Sequence, residues 1–151
     1  VPAPIDSFQQ DGEHLFLSNF YWHKGWTVEH HYQAAKTGDN RARAEILLAD
    51  TPGQAKRLGQ KCPMRADWDD VKIAVMESLL YRKFASGEMA TKLLRTGQAP
   101  LIEGNRWHDQ FWGDCRCGRA KCSEPGSNWL GYLLEQVRET IRISDEMLKN
   151  T

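Results

Sequence analysis

Glu29, Tyr32, Gln33 and Lys36 stand at i, i+3, i+4 and i+7 in the run VEHHYQAAK, so a helix there brings all four to one side. An ordinary amphipathic helix would carry Leu or Val at this spacing, whereas this face is polar. At 1.5 Å of rise per residue, Glu29 and Lys36 stand roughly 10 Å apart along the axis, within reach of one bound sugar for two long side chains. Desolvation of Lys36 would lower its pKa and make the amine a nucleophile. The same spacing also fits a solvated helix with a weak charge pair, worth at most about 0.5 kcal/mol.

Other residues could hold the rest of a ligand. Arg57 in QAKRLG, just ahead of Gly59, is the leading phosphate donor, because a guanidinium fork matches phosphate oxygens. A surface ion pair explains it as well. Trp26, Trp68 or Trp112 could stack on a base, each contact worth about 1 to 3 kcal/mol, or could simply cap the core. Ser18 and Asn19 precede Phe20 and could donate to ribose or phosphate, or form a plain turn. The segment DCRCGRAKCSEPGS holds Cys115, Cys117 and Cys122 with Arg116, Arg119 and Lys121. Zinc on the three thiols with His108 or Cys62 as fourth ligand is one reading. The spacing is no standard finger pattern, and a basic anion-binding loop that carries thiols is favoured, with no resident metal or cofactor expected.

Seven motifs then occur in order: LSNF at 17–20, EHHYQAAK at 29–36, QAKRLG at 54–59, the helix at Trp68, LIE at 101–103, DQFWG at 109–113 and NWLGYLLEQVR at 128–138. Together they resemble the NADAR family, to which the YbiA-like proteins belong, and the likeness spans nearly the whole chain. Many relatives have a glycine-rich stretch between Gly113 and Asn128 where this chain has its cysteines. The resemblance implies a compact, mainly helical α+β domain with a small sheet, residues 1–151 forming a single domain that cleaves C–N glycosidic bonds. It places Glu29, Lys36, Trp68 and Asp109 at positions implicated in activity, with Lys36 attacking the anomeric carbon of a ring-opened sugar. Tyr32, Gln33, Phe20, Gly59, Gly113 and Asn128 fall within its motifs and are expected on the substrate side. His30 is expected to be a structural hydrogen-bonding residue.

Breaking a ribose C–N bond builds positive charge on the sugar and negative charge on the departing base. Glu29 suits the anomeric centre or its hydroxyl protons, and Asp109 suits orientation of ribose or water. The leading expectation is removal of ADP-ribose from guanine, in a nucleoside or in DNA or RNA. The second is cleavage of phosphorylated ribosylamino-pyrimidine intermediates of riboflavin synthesis. From other classes stand a non-catalytic ADP-ribose or nucleotide reader, against which Glu29, Lys36 and Asp109 argue, and a zinc-dependent interaction module.

The elements that must position these groups are readable in outline. Thr27, Asp39 or Asn40, and Thr51 ahead of Pro52 are expected caps of three short helices, the first over 28–36. A buried helix is expected from about Asp67, carrying Val71, Ile73, Val75, Met76, Leu79, Leu80 and Phe84, then a short one over EMATKLLR. Asn128 or Ser127 caps a last helix with Leu130, Leu133, Leu134, Val137 and Ile141 in one stripe. Residues 5–28 mix aromatics with Gly, Ser and Asn and are expected to form a small sheet, and 101–113 a strand and loop.

At 151 residues the chain can bury one substantial core. Lys plus Arg and Asp plus Glu balance at 20 each, so no overall field draws it to nucleic acid or an anionic membrane, and any phosphate recognition is local. No apolar run approaches a membrane span, residues 1–10 lack a leader pattern, and three of four cysteines crowd together, so a cytoplasmic protein is expected.

Overall fold

A computed structural model describes residues 1–9 and 12–151. The reading of residues 1–10 therefore falls in part on Gln10, outside the described residues. The chain is mainly helical with a minor sheet, and it forms two compact units, Asn19–Lys83 on the one hand and Val1–Ser18 with Phe84–Thr151 on the other.

In the unit Asn19–Lys83, Lys24 and Gly25 both hold positive φ, 50° and 80°. Such a pair matches the hairpin turn whose central residues are both left-handed. His23 and Trp26 accordingly exchange backbone bonds of 2.9 and 3.1 Å. Helix α1, Val28–Ala35, starts where the Thr27 hydroxyl accepts the His30 amide at 3.0 Å. Helix α2, Asn40–Leu47, is capped by Asp39 through Ala42 at 2.8 Å, and α3, Pro52–Gly59, by Thr51 through Gln54 at 3.1 Å. All three caps are those expected, with Pro52 at the first helical position. Helices α1 to α3 pack on a cluster of small and branched residues, Ala34, Ile46, Ala49 and Ala55, flanked by Leu58 and Cys62. The alanines let the helices approach closely, which leaves the other side of α1 for polar groups.

Helix α4, Trp68–Phe84, buries Trp68, Met76, Leu80, Lys83 and Phe84, while Val71, Ile73, Val75 and Leu79 are half-buried. Its core side is thus narrower than the apolar pattern implied, and it includes a lysine. Lys83 lies 5.5 Å from the Tyr21 ring centroid, and burial lowers its pKa to about 7.

In the other unit, α5, Gly87–Arg95, packs with α6, Trp129–Lys149. The expected α6 stripe is buried throughout, at Leu130, Leu133, Leu134, Val137 and Ile141. Arg138 is also buried, donating to Thr96 Oγ1 at 2.8 Å and to the Ala99 carbonyl at 2.9 Å. The named strands are β1, Gly104–Asn105, and β2, Asp114–Cys115, a parallel pair of two residues each. The sheet expected in 5–28 is not among the described strands. Among its described residues that stretch yields two isolated bridges, Ile5 to Leu101 and His23 to Trp26, and a 3-10 turn over Leu15–Leu17. Its aromatics are broken too often by Gly, Ser and Asn to sustain a ladder.

Candidate functional site

The polar face of α1 is not solvated: Glu29, Tyr32 and Gln33 are 7%, 6% and 3% exposed. Gln33 Nε2 donates to Glu29 Oε1 at 2.7 Å, and the Glu29 amide donates to the Asn19 carbonyl at 3.0 Å. Burial raises the Glu29 pKa above 4.5, opposed by the Gln33 bond and then by the charges of Lys56 and Lys36. Burial lowers the Lys36 pKa below 10.5. The Glu29 and Cys62 charges oppose this, whereas Lys56 and Lys72 add to it. Both groups are moved toward their neutral forms, the condition under which a carboxyl keeps a proton and an amine attacks carbon.

Lys36 caps α1, and its Nζ lies 5.6 Å from the Tyr32 ring centroid. Tyr32 in turn rests on Trp68, ring centroids 5.1 Å apart. Two side-chain atoms of this unit are buried without a partner, Asn19 Oδ1 and Gln33 Oε1. Both are acceptors, and stranded buried acceptors call for donors from a ligand. Gly59 is buried against Gln33, and a Cβ there would overlap Gln33 Oε1.

His30 has the structural role expected: Nε2 is 2.9 Å from the Ala49 carbonyl and Nδ1 2.7 Å from Thr27 Oγ1. Arg57 is exposed on α3, and the lysine that sequence reasoning passed over, Lys56, is the α3 cation whose charge reaches Glu29 and Lys36. The signal was present, since Lys56 and Gly59 at i, i+3 share a helix face and Arg57 does not. Trp26 lies under the Arg82 guanidinium, 4.2 Å from its ring centroid, with His31 edge-on at 5.3 Å. Phe20 is half-buried beside Asn19 in sequence, and Ser18 is buried with its amide on the Leu15 carbonyl.

The remaining residues form their own cluster in the terminal unit. Asp109 Oδ1 accepts the amides of Phe111 and Trp112 at 3.0 and 2.8 Å, and its amide donates to Asn105 Oδ1 at 3.1 Å. Trp112 is packed edge-on to Phe111 at 4.8 Å. A Cβ on Gly113 would overlap Glu103 and crowd Asn105. Asn128 is the N-cap residue of α6, at φ 50°, but its side chain makes no capping bond. Its amide is committed elsewhere, Oδ1 accepting from Glu103 N and Nδ2 donating to Leu101 O, both at 2.9 Å. Asn128 therefore pins the backbone at Leu101 and Glu103 through those two bonds.

The NADAR domain family model matches residues 7–142. N-glycosidase YbiA of Escherichia coli is 39% identical over 80% of this chain and 73% of its own length. An N-glycosidase of Nostoc punctiforme is 39% identical over 94% of this chain and 89% of its own. A riboflavin biosynthesis protein of Vibrio vulnificus is 35% identical over 94% of this chain, which spans only 40% of that longer protein. The NMR structure of E. coli YbiA matches with a TM-score of 0.78 at 35% identity, over 96% of this chain and 89% of that one. With the family model covering all but its two ends and the YbiA fold running along nearly its whole length, this chain belongs to the NADAR domain family.

Proposed function

We propose that this chain, residues 1–151 acting as one domain, is an N-glycosidase that hydrolyses the bond between ribose C1′ and the nitrogen of a base. The observation that carries the reading is the buried Glu29 carboxyl on one helix face with Lys36, pKa values moved in opposite directions. The family relatives named N-glycosidase support it.

In this reading Glu29 supplies a proton to the ring oxygen, so that the N-glycoside opens to an imine. The neutral Lys36 amine adds to C1′, the C–N bond to the base breaks, and the base departs with a proton. Water then hydrolyses the Lys36 imine, releasing the sugar and restoring the amine. Asn19 Oδ1 and Gln33 Oε1 accept from the ribose hydroxyls, and Lys56 supplies local positive charge for phosphate. Trp68 holds Tyr32 in place beside Lys36. Asp109 enters through the family resemblance, orienting ribose or water, with Oδ1 held by the Phe111 and Trp112 amides.

The leading substrate is ADP-ribose on guanine, in a nucleoside or nucleic acid. A second reading, phosphorylated ribosylamino-pyrimidine intermediates of riboflavin synthesis, is supported by relatives of Vibrio vulnificus and maize named as riboflavin biosynthesis proteins. The reaction is expected to proceed with the chain's own residues. Its setting is read as cytoplasmic, and none of the described helices is long and apolar enough to cross a membrane.

The deciding experiment incubates the protein, Glu29→Gln and Lys36→Arg with guanosine or DNA carrying ADP-ribose on guanine, and separately with the pyrimidine intermediate. Release of the sugar is followed by mass spectrometry, and borohydride traps any imine. Release by the wild type and by neither variant, with an adduct on Lys36, supports the reading. No release from either substrate defeats it, and turnover by Lys36→Arg removes the covalent route.

A further inference from the structure

We propose that this chain carries a structural zinc ion on His108, Cys115, Cys117 and Cys122. One ligand-capable atom from each of the four lies within 4.8 Å of all the others. His108 Nδ1 is 3.7 Å from Cys115 Sγ and 3.4 Å from Cys122 Sγ. On tetrahedral zinc, with Zn–S of about 2.3 Å and Zn–N of about 2.0 to 2.1 Å, neighbouring ligands stand about 3.6 Å apart for S···N and about 3.8 Å for S···S. The cluster thus already has nearly the dimensions of a coordination shell. All its cysteines are free thiols, so no disulfide accounts for the gathering.

The surrounding backbone fits the same purpose. Gly118 at φ 79° turns the chain back after Cys117, and the Arg119 amide donates to Cys117 Sγ at 3.4 Å, holding the sulfur in place. His108 completes the set from a left-handed backbone at φ 70°, which an ordinary residue adopts only under local constraint. Three thiolates around a divalent cation leave one net negative charge, and the exposed Arg119 and Lys121 on the same loop are placed to offset it.

The sequence favoured an anion-binding loop here, a role that needs free cations. Arg116 is instead engaged by Asp6 and, at 3.6 Å, by Asp114. Cys62, the other candidate fourth ligand, donates to the Gly59 carbonyl at 3.3 Å in the Asn19–Lys83 unit. Sulfur and imidazole donors select zinc over hard cations. Four protein ligands leave no open position, so the ion ties structure together and takes no part in chemistry. It would join β2, the 3-10 turn Ala120–Cys122 and the loop where His108 adjoins Asp109. Of those stretches, β2 is paired with β1 through a ladder of two residues per strand.

The test uses this chain, untagged, made in zinc-supplemented medium and desalted. Inductively coupled plasma mass spectrometry is expected to find about one zinc per chain. Metal content should fall below about a tenth of that in His108→Ala and Cys117→Ser and persist in Cys62→Ser. Cobalt exchanged for zinc should give visible bands of a tetrahedral site with thiolate charge transfer, a readout independent of turnover. Should the variants fail to fold, thiol titration of the wild type decides: Cys115, Cys117 and Cys122 should react slowly until a chelator is added. Protein that takes up neither metal, thiols that all react at once, or a disulfide among the three overturns the proposal and leaves the N-glycosidase reading untouched.

Discussion

Gln33 donates its amide nitrogen to Glu29 Oε1 at 2.7 Å and keeps its own Oε1 buried against Gly59 without a partner. A carboxyl oxygen accepts this bond whether or not the group carries its proton, and the bond sets which way the Gln33 amide points. Gly59→Ala would place a Cβ on that oxygen and drive Gln33 from its seat. Overpacking of this kind costs about 1 to 3 kcal/mol. Turnover is expected to fall about 10-fold or more, while circular dichroism still reports a folded chain. Wild-type activity in Gly59→Ala would mean that Gln33 does not position Glu29.

Burial holds Glu29 above its ordinary value of 4.5. Between 4.5 and the raised value the folded chain retains a proton that the unfolded chain has lost. The contribution to stability is full below 4.5 and disappears as pH rises through the folded value. Glu29→Gln keeps an acceptor for Gln33 and removes this penalty. Its Tm is expected to exceed that of the wild type at pH 7 by a few degrees, about 2 to 4 °C per kcal/mol at this length, with the gap closing near pH 4. Turnover should meanwhile drop about 10²- to 10⁴-fold. Melting curves at both pH values check this, and a less stable variant at pH 7 contradicts it.

Lys56 repels charge on Lys36 and attracts it on Glu29. Removing it raises both pKa values. If the neutral Lys36 amine attacks, kcat rises with pH through the Lys36 pKa, and Lys56→Met should move that limb to higher pH. An unmoved limb in the pH–rate profile would show that Lys56 does not tune the nucleophile.

Asn128→Ala removes two hydrogen bonds and leaves a side chain with little tolerance for φ 50°. At about 1 kcal/mol per bond and about 1 to 2 kcal/mol for the backbone, a loss of roughly 3 kcal/mol is expected in urea melts. If the part of Asn128 is to pin the backbone at Leu101 and Glu103, KM should stay near the wild-type value. A raised KM without a stability change would instead give Asn128 a place at the substrate.

The helices were legible because their signals are local: Thr27, Asp39 and Thr51 cap as their types require, and the α6 stripe repeats at helical spacing. Residues 5–28 were misread as sheet because aromatic content was taken for pairing partners, which only tertiary structure supplies. The Glu29 face was identified by spacing, but its burial depends on elements far along the chain, as does the choice of Lys56 over Arg57. The ligand set of His108 with three cysteines was named but ranked below an anion-binding loop, because its spacing is no standard finger pattern. Its support is the turn at Gly118 and the φ of His108, neither of which a pattern of residue types displays.

Lys83 gives α4 an amine inside the core, at a pKa of about 7. From there to its ordinary 10.5 the unfolded chain binds a proton that the folded chain refuses, so folding gains with every step toward alkali. The stake is on the order of a few kcal/mol, a sizeable share of the roughly 5 to 15 that hold a domain together. The denaturation midpoint should therefore climb from pH 7 to pH 9.5 in the wild type and stay nearly level in Lys83→Met. Mild alkali, ordinarily a stress, is for this molecule a conserving medium, and storage or crystallisation at neutral pH holds it short of its most durable state.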